Sequence, residues 1–88
     1  MKVINKKIWT KYFDLISSGK KKYELRLNDF DIEVGDILRL EEWNPNTRVY
    51  TGRSIEKTVT SVSNFKLDEL VWPKEDYEEK GFKLLSLE

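Results

Sequence analysis

The apolar positions near the start of the chain follow the spacing of a helix. Residues 2–8 predict a short strand, and after it comes an apolar stripe formed by Trp9, Tyr12, Phe13 and Ile16. These positions share one helical face because they recur three and four residues apart. Thr10 suits the N-cap, and Gly19 suits the position after the last turn, where a left-handed backbone is common. We therefore predict one main helix near the N-terminus, with its apolar stripe in the core.

After this helix the pattern changes to alternation with a period of two, which is typical of strands. Three segments alternate or are rich in β-branched residues, and they predict strands at residues 21–28, 37–43 and 54–62. Residues 82–88 predict a closing strand, and residues 63–81 have the pattern of a loop.

These elements predict an α+β fold in a single domain of residues 1–88. We expect about five to six strands to close into a small β-barrel, because closure removes exposed sheet edges. One main N-terminal helix accompanies the barrel, and the pattern allows a short second helix that includes a turn at residues 67–70.

The composition narrows the chemistry that this chain can perform. It has no cysteine and no histidine, which excludes disulfides, thiol nucleophiles, zinc sites built from these residues and histidine acid–base catalysis. No acidic cluster has convincing metal-ligand spacing, so we expect no metal and no other cofactor. No apolar segment approaches the roughly 20 residues of a membrane helix, and the first residues lack a signal-peptide pattern. We therefore expect a cytoplasmic monomer that does not enter membranes.

The formal net charge of zero hides an uneven distribution of charge. Residues 1–26 hold eight Lys or Arg and two Asp or Glu, whereas residues 27–88 hold eight Lys or Arg and fourteen Asp or Glu. A basic half of this kind can form a patch for phosphates. The alternative is that both halves carry ordinary solvated charge.

Charge is concentrated on the predicted strand at residues 21–28. Lys22, Glu24 and Arg26 fall on one face of it, and an alternating apolar set falls on the other. Lys21 joins the charged face only if the chain from Gly19 to Lys21 still forms a turn. The alternative is a solvated face with a surface ion pair worth less than about 1 kcal/mol.

The spacing Gly19-x-Lys21-x-x-Glu24-x-Arg26 resembles the GxKxxExR signature of the ASCH domain family, in the PUA-like superfamily. Other segments resemble a small bacterial and phage branch of that family whose role is poorly defined: residues 12–19, 27–43, 50–53 and 81–87. The resemblance covers most of the chain in order, and residues 63–80 lack a match.

The resemblance implies a small PUA-like β-barrel with flanking helices and a cleft beside the motif. It also implies RNA binding or a part in RNA-linked processes. Some small ASCH members are amidohydrolases that remove an acyl group from N4-acetylcytidine, with a lysine, a threonine and a glutamate as proposed catalytic groups.

Lys21 and Arg26 occupy the lysine and arginine positions of the motif, but this chain departs from the family pattern elsewhere. Glu24 stands where the hydrolytic members have their threonine, and Phe30 stands where the branch often has an arginine. The position of the hydrolytic glutamate is open among three residues: Glu69, Glu75 and Glu78.

We expect a domain that binds RNA or a modified nucleoside rather than an enzyme. Its expected binding residues are Lys21, Glu24, Arg26, Asn28, Trp43 and Arg53. A base would stack on an aromatic ring, for which the candidates are Tyr23, Trp43 and Tyr50, although Tyr23 falls on the apolar face.

Two alternatives remain open from the sequence. The first is an amidohydrolase on an acylated cytidine-type base, with Lys21 as the base and Glu24 activating water. The second is a protein-interaction domain in which the acidic residues 63–80 dock a basic partner.

Overall fold

The computed structural model describes residues 1–67, 71–83 and 85, and its framework is a sheet with one helix packed on it. The elements along the chain are, in order, β1 (Val3–Trp9), α1 (Thr10–Ser17), β2 (Ile37–Asn44), β3 (Val49–Thr58) and α2 (Lys74–Lys80). Neither described helix is long and apolar enough to cross a bilayer.

The three strands form one mixed sheet in the order β1-β2-β3. β1 and β2 are parallel, with Val3 opposite Ile37 and Trp9 opposite Trp43. Parallel neighbours need a crossover connection, and α1 lies within it. β2 and β3 are antiparallel, and their register shifts between Glu41 and Trp43, so extra residues of β3 bulge opposite Glu42.

The core lies where α1 covers one face of this sheet. Phe13 and Ile16 of α1 are buried against Ile8 of β1 and Leu40 of β2, with Leu38 and Ile55 packed beside them. The helical stripe predicted from the sequence therefore contributes these two residues to the core, while Trp9 and Tyr12 stay exposed. Trp9, rather than Thr10, occupies the N-cap of α1.

The prediction of a closed barrel with five to six strands is wrong. The described residues form a three-stranded sheet that stays open, since β1 and β3 each pair with β2 and with no other described strand. Residues 21–28 form no strand, and neither do residues 82, 83 and 85. The rest of the predicted closing strand, at residues 84 and 86–88, lies outside the described residues.

The second helix lies where the sequence predicted a loop. α2 follows Pro73, whose fixed φ suits a helix N-terminus, and ends at Gly81, where φ is +68°. Glu75 and Asp76 in its first turn and Lys80 in its last turn complement the helix dipole. The short helical turn predicted at residues 67–70 lies mostly outside the described residues.

Asp36 ties the start of β1 to the start of β2. Its buried carboxylate accepts hydrogen bonds from the backbone N–H groups of Lys2 (3.0 Å) and Glu33 (2.9 Å). The Lys2 bond, followed by the Glu33 bond, lowers the pKa of Asp36 below its ordinary value. Because the lowered pKa favours the ionised folded state, this stabilisation is present above the ordinary pKa and is lost as the pH falls below it.

Asp36→Asn is therefore expected to lower the urea midpoint of unfolding at neutral pH, because an amide nitrogen cannot accept the second backbone hydrogen bond. The difference from the parent protein should shrink as the pH falls through the ordinary range of aspartate. Asp29→Asn, at an exposed position, is the matched control and should leave the midpoint nearly unchanged. An equal effect of both changes at every pH would contradict this role of Asp36.

Candidate functional site

The residues after α1 turn back on the helix and bring Lys21 into a charged cluster. Gly19 has a φ of +80°, a left-handed conformation that glycine adopts at little cost. The N–H of Gly19 donates to Ile16, and the N–H of Lys21 donates to Leu15 over 2.9 Å. The segment from Gly19 to Lys21 is thus a turn, which was the condition for Lys21 to join Glu24 and Arg26.

Glu24 is the centre of this cluster, which we call the charged cluster (Lys21, Glu24 and Arg26). Lys21 Nζ donates to Glu24 Oε1 over 3.3 Å, and Arg26 Nε donates to Glu24 Oε2 over 2.8 Å. Arg26 Nη2 also donates to the backbone carbonyl of Lys7 over 2.6 Å, which anchors the cluster to β1. The three side chains are less than a third exposed.

Two tyrosine rings flank the ammonium of the charged cluster. Lys21 Nζ lies 4.9 Å from the ring centroid of Tyr12 and 5.2 Å from that of Tyr23, within cation–π range. The sequence pattern favoured a core position for Tyr23, but the residue is exposed and contacts Lys21.

The other predicted site residues lie apart from the charged cluster. Asn28 is exposed and makes no hydrogen bond within the described part of the chain. Trp43 lies on β2, and Arg53 lies on β3 in a second group of charged side chains. The structure therefore brings together Lys21, Glu24 and Arg26 and leaves the remaining three separate.

The candidates for the hydrolytic glutamate also lie elsewhere. Glu75 and Glu78 are exposed residues of α2, where Glu78 forms an ion pair with Lys74 at 3.6 Å. Glu69 lies outside the described residues. Among the residues that the structure describes, no group of three or more acidic side chains is arranged to hold a metal ion.

A second charged group, the Glu42 group (Asp14, Glu42, Thr51 and Arg53), joins α1 to the sheet. Glu42 is 1% exposed, and Arg53 binds both of its oxygens, with Nε–Oε1 and Nη2–Oε2 distances of 2.7 Å. The hydroxyl of Thr51 donates to Oε1. Arg53 Nη2 also donates to Asp14 over 3.2 Å, and its guanidinium lies 4.7 Å from the Phe13 ring centroid.

These contacts explain the electrostatics of the Glu42 group. The hydrogen bond from Arg53, followed by that from Thr51, lowers the pKa of Glu42 to about 2 despite its burial. The hydrogen bonds to Glu42 and Asp14 raise the pKa of Arg53. Both groups are therefore charged at neutral pH, and the pair is a buried ion pair with one exposed end.

Sequence reasoning missed the buried role of Glu42. One signal was available, because Glu42 follows Leu38 and Leu40 on the same face of an alternating strand. A carboxylate at such an inward position needs a cation or several donors. Arg53 was expected among the residues that bind RNA or a nucleoside, and its observed partners are Glu42 and Asp14.

A comparison with known families gives a match over most of this framework. The family described as "Domain of unknown function (DUF3850)" matches residues 4–71. The chain belongs to the DUF3850 family. The DUF3850 match includes α1, β2, β3 and most of β1, and it therefore includes both charged groups. The helix α2 lies beyond it.

The chain is also similar to a curated phage protein. The chain is 43% identical over 63 residues to an uncharacterised 12.9 kDa protein in the GpA 3′ region of Escherichia phage P2. That alignment covers 72% of this chain and 56% of the phage protein. The chain thus spans little more than half the length of this relative.

Proposed function

We propose that the protein binds RNA or a modified nucleoside at the charged cluster. One observation carries the proposal: an ammonium, a carboxylate and a guanidinium meet on a segment that has no regular secondary structure. Irregular segments held by a rigid scaffold are common places for binding residues. Here the scaffold is β1, to which Arg26 is bonded through the Lys7 carbonyl.

The cluster keeps unused hydrogen-bonding capacity for a ligand. Nη1 of Arg26 makes no hydrogen bond within the described residues, so its N–H groups can bind a phosphate or carbonyl oxygen. A carboxylate has about four lone-pair positions, and Glu24 accepts one bond at Oε1. That oxygen can accept a further bond from an exocyclic amine, as carboxylates do with N4 of cytosine.

The GxKxxExR resemblance supports the same proposal, and we propose that this DUF3850 chain is a divergent relative of ASCH domains. The support lies in the motif, since Lys21, Glu24 and Arg26 occupy its three charged positions. The fold adds none, because the described sheet is open.

The contacts of Glu24 favour a binding function over a hydrolytic one. Each of its oxygens accepts a hydrogen bond from a cation, one from Lys21 and the other from Arg26. Within the described part of the chain, no serine or threonine hydroxyl hydrogen-bonds to Lys21 or Glu24, so no nucleophile like that of the hydrolytic ASCH members is positioned there.

The test is binding of a short fluorescein-labelled oligocytidine, followed by fluorescence anisotropy. The double variant Lys21→Ala, Arg26→Ala should bind roughly tenfold to a hundredfold more weakly, because it loses two charged hydrogen-bond donors. Glu24→Gln should weaken the binding of oligocytidine more than the binding of an oligouridine, since uracil lacks the N4 amine.

The chain offers a matched control in the same segment. Lys20→Ala, Lys22→Ala removes the same charge from two exposed side chains on either side of Lys21. Its effect should be small and should vanish as salt is raised. Equal weakening by both double variants would mean that general electrostatic attraction, and not the charged cluster, accounts for the binding. Unchanged binding in Lys21→Ala, Arg26→Ala would refute the site.

A further inference from the structure

The face of the sheet opposite α1 carries a row of aromatic side chains. Trp9 of β1 is paired with Trp43 of β2, which in turn is paired with Tyr50 of β3. Directly paired residues share a face, and neighbouring strands lie about 4.8 Å apart. The three residues, which we call the aromatic row, therefore cross the sheet side by side.

This row is open to solvent. Trp9 is 49% exposed and Tyr50 is 56% exposed, while Trp43 between them is half-buried. α1 packs on the other face, where Ile8 and Leu40 are buried. Large exposed rings grouped on one face of a sheet are typical of surfaces that bind another molecule.

The two chain segments that carry the aromatic row are rich in basic residues. Residues 1–13 contain four lysines and residues 43–55 contain two arginines, and neither segment contains an aspartate or a glutamate. The acids that border these segments are Asp14, Glu41, Glu42 and Glu56. Arg53 pairs with Asp14 and Glu42 on the opposite face, Arg39 pairs with Glu56, and Glu41 lies on the same face as Trp43. Lys7 Nζ lies 4.2 Å from the ring centroid of Trp43, which places a cation on the row itself.

Aromatic rings among cations match the chemistry of a single nucleic-acid strand. Bases stack on the rings regardless of sequence, and lysine or arginine contacts the phosphates between them. Exposed sheet faces with aromatic side chains stack two or three successive bases in this way. A cavity of about 210 Å³ opens beside Tyr50, and its lining includes two arginines, Arg39 and Arg53, and two glutamates, Glu41 and Glu42.

We propose that the aromatic row stacks two or three consecutive bases of single-stranded RNA. This inference deepens the proposed function, since it names the form of the partner and a second surface that holds it. Lys7 connects the two surfaces, because its side chain lies on Trp43 and its carbonyl accepts a bond from Arg26. An RNA strand that leaves the row across β1 reaches the charged cluster.

The experiment compares ring removal at two places, using a short fluorescein-labelled oligouridine and the intact chain. Trp43→Leu and Tyr50→Leu should each weaken binding by about tenfold, which corresponds to the stacking of one base. Trp72→Leu removes an exposed ring that contacts Phe82 near α2 and should leave binding unchanged. Urea unfolding of each variant checks that it is folded. If Trp43→Leu does not fold, Tyr50→Leu alone tests the aromatic row.

A second measurement separates stacking from a structural role. In a Trp72→Phe background, RNA should quench the remaining tryptophan fluorescence, and Trp43→Phe should keep most of the affinity because a ring is retained. A duplex RNA of the same length should bind at least tenfold more weakly, since its bases are already stacked. Equal binding of duplex and single strand, or an absence of quenching, would overturn the inference.

The outcomes distinguish this inference from the proposed function. If Lys21→Ala, Arg26→Ala weakens binding and the aromatic variants do not, the row is refuted and the charged cluster stands. If only the aromatic variants weaken binding, the row is supported and the charged cluster fails. If the parent protein binds no RNA, the row is refuted and so is RNA binding by the charged cluster.

Discussion

Replacing Arg53 by methionine is expected to lower the thermal midpoint of unfolding by on the order of 10 °C. Arg53 supplies two of the hydrogen bonds that neutralise Glu42, each 2.7 Å long, and Glu42 is 1% exposed. Without the guanidinium, the carboxylate is left buried without its cation, although the hydroxyl of Thr51 still donates to it. An unpaired buried charge is among the most destabilising single changes in a folded protein.

Removing the charge of Glu42 should lower the thermal midpoint less than removing Arg53. Glu42→Gln leaves Arg53 without its main partner, but the Arg53 side chain is 57% exposed, so water and Asp14 can bind it. Arg39→Met is the matched control, since Arg39 pairs with the exposed Glu56 and such pairs contribute less than about 1 kcal/mol. If Arg53→Met shifted the midpoint no more than Arg39→Met, Glu42 would not depend on Arg53.

The pH dependence gives the same prediction an independent check. Because the pKa of Glu42 is lowered to about 2, its stabilisation is complete above its ordinary pKa of 4.5 and is lost as the pH falls toward 2. In Arg53→Met, burial without a cation should instead raise the pKa of Glu42, and protonation would relieve the buried charge. The gap between parent and variant, measured by thermal unfolding, should therefore narrow as the pH falls.

Leu40→Ala is expected to reduce the free energy of unfolding by about 3 kcal/mol, within the usual range of about 2–5 kcal/mol. Leu40 is 1% exposed and lies on the central strand, where it contacts the core residues of α1 and β1. Its truncation removes apolar area from the core and leaves a cavity that the open sheet cannot fully collapse. Urea unfolding followed by circular dichroism measures the loss.

Leu27→Ala is the control for the loss of a leucine side chain outside the core. Leu27 is 80% exposed, so its truncation should change the free energy of unfolding by less than about 0.5 kcal/mol. Similar losses for both variants would mean that the four buried residues are not the core of this protein.

The spacing of apolar residues along the chain predicted α1, β1 and β2. The helix predicted from its apolar stripe is α1, and the strands predicted at residues 2–8 and 37–43 correspond to β1 and β2 within one or two residues. β3 was predicted at residues 54–62 but runs from Val49 to Thr58, because its limits follow from its pairing with β2 rather than from its own sequence.

Alternation failed as a predictor at residues 21–28. The pattern there is as regular as in β2, yet the segment forms no strand and pairs with no strand among the described residues. A strand is completed by hydrogen bonds to a neighbour, and its own residues cannot supply them. This segment contacts β1 through the side chain of Arg26, which donates to the Lys7 carbonyl, and not through a ladder of backbone hydrogen bonds.

The two charged groups differ in whether their residues are near or distant in sequence. The charged cluster was predictable because Lys21, Glu24 and Arg26 lie within six residues and a glycine turn suffices to gather them. The sequence by itself determined that turn, the central strand and the apolar face of α1, since each depends on neighbours along the chain. The tertiary structure alone decided the open sheet, the pairing of Glu42 with Arg53 and the alignment of the aromatic row. Those contacts join residues distant in sequence, and their geometry is set by strand register.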